Sequence, residues 1–186
     1  MRARLALKLA DTAVEIREIS LRDKPAHLLQ VSPKGTVPVM MLPDGYVIEE
    51  SIEIMLFALK THPLISSIHA ACRALVVEND TDFKQALDAY KYPERFPGKT
   101  QIQYRTDGEV YLKKLEKLLQ QNTCLFDAIP TFADYAIFPF IRQFAAVDSA
   151  WFSAAPYSNL RIWLASQIES DLFNSVMEKR AIFSPT

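Results

Sequence analysis

The residues best suited to chemistry sit in one stretch, TVPVMMLPDGYVIEES, residues 36–51. Pro38 falls inside what reads as the first strand of a β-hairpin, where a ladder N–H is wanted and proline has none. On the residues alone it is a trans proline at the start of an edge strand, which sheets tolerate. Ser51 opens an apolar helical run, SIEIMLFALK. A helix start offers unpaired N–H groups and the positive end of the dipole, a setting for an anion. Ser51 also serves as a plain N-cap, with Glu50 as an acidic neighbour of the helix start. Lys24, in DKP, reads on its own as a solvated surface lysine. The two cysteines, Cys72 and Cys124, form no disulfide framework and no metal spacing. They read as reduced, buried thiols that pack as small hydrophobes. His27, His62 and His69 have no motif partners and read as surface or capping residues. No catalytic residue and no metal ligand set is assigned.

The elements that must position these groups fall in two halves. The chain has 186 residues and 49% hydrophobic content, enough to bury a core in one domain or two small ones. Its net charge of -1 gives no broad basic field for nucleic acid or an acidic membrane. No apolar run reaches the roughly 20 residues of a membrane span. The basic start is interrupted by Lys8 and Asp11 and does not read as a signal peptide. The expectation is a soluble, cytoplasmic protein with no nucleic-acid partner.

Periodicity predicts a short amphipathic helix over Arg2 to Ala10 and a half-buried strand over Val14 to Ile19. A helix follows in KPAHLLQ, with proline in its first turn and a Pro-Gly breaker behind it. Strands at Val37–Leu42 and Tyr46–Glu49 are joined by the turn Pro43-Asp44-Gly45, and the helix from Ser51 comes next. From Ile68 onward the pattern is helical. Leu112, Leu115, Leu118 and Leu119 share one face, with Lys113, Lys114 and Lys117 outside it. Thr131 and Asp134 have capping-box spacing, with Asp in place of Glu or Gln. Helices are expected near Leu160–Ile168 and Asp171–Lys179, and YKYPERFPGKT is a break.

A small βαββα unit with VP opening its hairpin and ES starting its last helix, followed by an all-helical half, resembles the cytosolic glutathione transferases. Bacterial cysteine-type (omega-like) members are the nearest in look. LRDKPAHLLQVSPKGTVPVM, DGYVIEES and PTFADYAIFPFIRQFAAVDSAWF carry the likeness, in that order. It implies an α/β plus all-α fold. A thioredoxin-like domain over residues 1–60, lacking its first strand, precedes an all-helical domain over residues 67–186. It implies a cis bond before Pro38, turning the Val37 N–H and C=O outward to pair with the cysteinyl part of glutathione like a short added strand. By the same resemblance the helix start at Ser51 takes the γ-glutamyl carboxylate. Glu50 takes the ammonium by a charge-assisted bond, and Lys24 reaches the glycyl carboxylate. Glutathione would be a substrate beside a small-molecule second substrate, and the protein a homodimer. Thr36 stands where relatives carry a longer polar residue, so no side-chain contact is expected there. Thr131 and Asp134 match the family's capping box and serve folding. Tyr90, Tyr92 and Phe140 are candidates for the wall of the second-substrate pocket, with core packing the expected role of each, and a structural ion pair is expected of Arg142.

One departure matters. The family places a strand and a loop bearing Cys, Ser or Tyr before its first helix, whereas Met1 here adjoins that helix. The expectation is that Met1 is an internal methionine and that this chain lacks the catalytic cysteine; neither Cys72 nor Cys124 lies at a matching position. An empty strand slot would strand backbone groups at roughly 1–3 kcal/mol each when buried. The expected remedies are a rearranged sheet, a strand borrowed from a partner chain, or a longer native protein. The function implied is conjugation or thiol exchange of glutathione with a small electrophile or disulfide, impaired by the missing thiol. The alternative is a non-catalytic protein of the same fold acting through protein–protein interaction.

Overall fold

The computed structural model describes residues 1–183. Its helices are α1 (Arg2–Leu9), α2 (Ala26–Val31), α3 (Ser51–Ala58), α4 (Ala70–Glu78), α5 (Lys84–Lys91), α6 (Gln101–Leu119), α7 (Phe132–Val147), α8 (Ser149–Ala154), α9 (Ser158–Glu169) and α10 (Asp171–Met177). Two strands, β1 (Met40–Met41) and β2 (Val47–Ile48), lie between α2 and α3. The chain separates into two compact units. One holds residues 1–65 with the segment from Asp171 onward, and the other holds Ser66–Ser170. Thus α10, helical as expected, packs with the first unit through α1.

In the first unit α1 packs on α3, because each shows an apolar face at helical spacing. Leu5 and Ala6 of α1 and Ile54, Met55 and Ala58 of α3 are buried. Ala3, Ile48 and Ile54 form one cluster, flanked by Leu7, Met40 and Phe57. The hairpin is antiparallel, with Met40 opposite Ile48 and Met41 opposite Val47. Its strands are shorter than the Val37–Leu42 and Tyr46–Glu49 expected. Pro38 brings no N–H to the ladder, and the turn closes at once with Gly45 N–H donating to Leu42 O at 2.9 Å. Gly45 has φ 87, a conformation glycine adopts at little cost.

The strand expected over Val14 to Ile19 is not formed. A strand needs a ladder partner along its length, and this segment finds one at a single position, a parallel bridge between Glu18 and Ile182. Its charges are spent on side-chain pairs instead. Glu15 pairs with Arg17 at 2.9 Å, and Glu18 accepts from Arg4 at 2.6 Å. The Arg4 bond holds the Glu18 carboxyl below its ordinary pKa.

In the second unit a π-helical turn at Asn79–Phe83 joins α4 to α5. On the α6 face Leu112, Leu115 and Leu119 are buried and Lys113, Lys114 and Lys117 exposed, as expected, whereas Leu118 is half-buried at its margin. Thr100 and Gln103 cap α6, and Thr131 with Asp134 caps α7. Asp134 does more than cap. It is fully buried and accepts from Leu125 N at 2.9 Å and Trp163 Nε1 at 2.8 Å. Glu116 on α6 takes over the start of α9, accepting from Asn159 Nδ2 and Leu160 N, each at 2.8 Å. Tyr90 is buried against Phe144, as expected of a core residue, whereas Tyr92 and Phe140 are half-buried.

Candidate functional site

The hairpin and the start of α3 define the site in the first unit. The ladder ends at Met40 and Ile48, so Val37 and Pro38, just before β1, and Glu50 and Ser51, just after β2, flank the end of the hairpin opposite its turn. The Val37–Pro38 peptide bond is cis. Val37 is exposed, and its backbone makes no hydrogen bond among the described residues. Thr36 is exposed and makes none either.

The helix cap lies one residue earlier than read. Glu50, in extended backbone at φ -92 and ψ 133, is the N-cap of α3, and its carbonyl accepts from Ile54 N at 3.0 Å. Ser51 is the first helical residue, and the cap makes no side-chain hydrogen bond. The N–H groups of Ser51, Ile52 and Glu53 therefore have no intrahelical acceptor. They point from a helix start, where partial positive charge collects.

Glu49 was not singled out in sequence. Ser32 Oγ donates to its Oε1 at 2.5 Å and Lys34 Nζ lies 3.4 Å from its Oε2. The Ser32 bond chiefly, and Lys34 next, hold the Glu49 carboxyl below its ordinary pKa. Glu49 thus ties residues 32–34 to the end of β2, leaving the exposed Glu50 as the carboxylate beside Ser51. An adjacent Glu-Glu pair carries no mark in sequence of which member is engaged.

Lys24 is exposed, and its side chain lies over Gly35. A Cβ at Gly35 would sit 3.4 Å from Lys24 Nζ and 2.9 Å from Leu29 Cδ2. Gly35 has φ 59 and lies two residues before Val37, so a close approach and a left-handed turn bring the ammonium beside the Val37 loop.

The thiols belong to the second unit. Cys72 and Cys124 are buried, and burial pushes both up to about 11. Such groups stay thiols near neutral pH and are poor nucleophiles. The histidines cap or pack. His69 Nδ1 accepts from Cys72 N at 3.3 Å, His62 Nδ1 accepts from Leu64 N at 3.2 Å, and His27 meets Phe183 edge-on. Among the described residues no group of His, Cys, Asp and Glu could hold a metal ion, and no helix is long and apolar enough to cross a membrane.

Comparison with known proteins bears on this geometry. Residues 1–61 match the family model of the glutathione S-transferase N-terminal domain, and residues 111–166 that of the C-terminal domain. A Methylobacillus flagellatus glutathione S-transferase with glutathione bound superposes with TM-score 0.78 at 20% identity, over 94% of this chain and 92% of that one. A Phanerochaete chrysosporium glutathione transferase in complex with oxidized glutathione gives TM-score 0.78 at 14% identity, over 94% and 88%. A Rhodospirillum rubrum glutathione S-transferase gives TM-score 0.74 at 20% identity, over 99% and 90%. At these identities the likeness is one of fold. No curated protein matches the sequence.

Proposed function

The chain belongs to the glutathione S-transferase family, and on that premise we propose that it binds glutathione at the end of its hairpin. The fold is a thioredoxin-like N-terminal domain followed by a helical C-terminal domain. In the proposed mode the Val37 main chain pairs with the cysteinyl unit, with Pro38 fixing its exposure. The start of α3 at Ser51 holds the γ-glutamyl carboxylate, Glu50 takes the ammonium, and Lys24 the glycyl carboxylate. The observation that supports the reading is that the exposed Val37 main chain and the start of α3 flank the same end of the hairpin. Solved relatives holding glutathione or its conjugates support it.

The proposed chemistry is conjugation or thiol exchange between glutathione and a small electrophile or disulfide. Residues 1–60 form the glutathione-binding domain and residues 67–186 the helical domain of this proposal. The omega-like, cysteine-type subclass, a homodimer and a cytoplasmic site of action are further parts of it. The protein's own residues would bind and orient the tripeptide. Activating its sulfur requires a nearby donor or thiolate, and both thiols present are buried in the other unit with raised pKa. The proposal is therefore of impaired transfer. The same observation favours a second reading, a non-catalytic protein of this fold that acts through protein partners.

Retention on immobilised glutathione tests the binding proposal. The folded protein is expected to be retained and to elute with free glutathione. Ser51→Ala is expected to weaken binding about tenfold, the loss of one hydrogen bond to a charged group. Unchanged binding would remove Ser51 from the site, and failure of a well-folded sample to bind would favour the second reading.

A further inference from the structure

The end of α5, the start of α6, the end of α7 and the start of α8 line a cavity of about 510 Å³ in the second unit. That is within the range of ligand pockets, roughly 300–1,000 Å³, and far beyond the room of a single water at about 30 Å³. Tyr90 lines it. The residue is only 2% exposed, yet its hydroxyl makes no well-formed hydrogen bond; the Arg105 guanidinium is its polar neighbour. The Nε of Arg105, also in the wall, is buried and equally unpartnered. Unpaired buried polar atoms are few in native proteins, and each calls for a reason.

Both groups are held in place. The Tyr90 ring packs on Phe144 at 4.9 Å, and its carbonyl accepts from Gln101 Nε2 at 3.1 Å. The Arg105 guanidinium stacks on Trp151 at 4.4 Å. Two carboxylates stand near Arg105 but outside hydrogen-bond reach: Glu109 Oε1 is 3.8 Å from Nε and Asp148 Oδ2 is 3.9 Å from Nη1. Glu109 spends its other oxygen on the Tyr157 hydroxyl at 2.7 Å, and Asp148 Oδ1 caps α8 by accepting from Trp151 N at 2.9 Å. Asp148 Oδ2 is left over as an acceptor. Burial pushes the Tyr90 hydroxyl up, with Arg105 opposing, so it remains a donor.

The charges select the ligand. The lining carries one guanidinium, Arg105, and one carboxylate, Asp148, so it has no net charge and an added anion meets Asp148. A cation meets Arg105 and leaves both inner donors unpaired. We infer that this cavity is a second ligand site, taking a small neutral molecule with a carbonyl beside an N–H, such as a carboxamide or a urea. The carbonyl accepts from the Tyr90 hydroxyl and Arg105 Nε, and the N–H donates to Asp148 Oδ2. The site lies wholly within the second unit and is independent of the proposed glutathione site.

The test titrates the intact protein with N-methylacetamide, acetate and methylammonium while following the Arg105 Nε–H and Trp151 indole resonances. The amide is expected to give a saturable shift, with acetate and methylammonium at least about fivefold weaker. Tyr90→Phe, checked for unchanged circular dichroism and thermal midpoint, is expected to weaken the amide at least about fivefold, as for one lost neutral hydrogen bond. Asp148→Asn keeps a capping residue on α8 and removes one negative charge. It is expected to improve acetate binding about threefold, the scale of a partly exposed charge. Absence of a saturable amide shift, tighter binding of acetate than amide, or indifference of the amide to Tyr90→Phe each overturns the inference. If Tyr90→Phe does not fold, unchanged acetate binding in Asp148→Asn does so.

Discussion

Asp134 gives the sharpest prediction about the helical unit. Its Oδ2 accepts from Thr131 N at 2.8 Å and Thr131 Oγ1 at 2.6 Å, while Oδ1 serves Leu125 N and Trp163 Nε1. Asp134→Ala removes every one of these acceptors at a site with no solvent exposure. The Thr131 hydroxyl can rotate away, but the two backbone N–H groups and the indole N–H stay fixed. Each stranded donor costs roughly 1–3 kcal/mol. Relaxation and water entry reduce the sum, so the expected loss is about 3–5 kcal/mol against a whole-domain stability of roughly 5–15 kcal/mol. Trp151 and Trp163 both lie in this unit, so urea unfolding followed by tryptophan fluorescence reports on it. Asp134→Asn keeps the shape and one acceptor and should fall between wild type and Ala. The double mutant Asp134→Ala/Trp163→Phe should lose less than the two single losses added, because the stranded indole donor has gone. A loss below about 1 kcal/mol for Asp134→Ala would show that the buried donors find other partners, and would refute the hub.

Two further outcomes follow from the structure. Gly35→Ala forces a left-handed residue at φ 59 and places a Cβ 2.9 Å from Leu29 Cδ2. The expected cost is about 1–2 kcal/mol, read as a thermal midpoint several degrees lower, with weaker glutathione binding as Lys24 is displaced; an unchanged midpoint contradicts this. The thiols of Cys72 and Cys124 should resist a disulfide reagent at pH 8 in the folded protein and react fully in denaturant. Their folded pKa of about 11 exceeds the ordinary 9.0. Above pH 9 the unfolded thiols lose protons that the folded ones keep, so stability should fall between about pH 9 and 11. Rapid native labelling would refute the burial.

Helices were the most legible part of the sequence, because a 3.6-residue apolar period over ten or more residues needs no partner to be read. The lysines outside the α6 leucine face and the Thr131–Asp134 spacing are of this kind. Strand pairing was less legible. The alternation over Val14 to Ile19 resembles a strand, but a ladder depends on what lies alongside, and among the described residues the segment pairs at a single bridge, Glu18 with Ile182. At the site, Pro38 and Ser51 were visible because proline in a strand and serine before an apolar run are both local signals. Three facts rest on tertiary placement and had no local signal. These are the tie of Glu49 to Ser32, the approach of Lys24 to Gly35 and the convergence of four donors on Asp134. The cap at Glu50 differs by one residue from the reading because a glutamate backbone can fill that position without its side chain bonding.

The central claim is that the exposed Val37 main chain and the first turn of α3 hold glutathione together. Backbone amide resonances under titration with reduced glutathione test it most directly. The account predicts saturable shifts at Val37 and at Ser51, Ile52 and Glu53 with one shared dissociation constant. Saturable binding that leaves those four amides unmoved, or no binding by the folded protein, would contradict it.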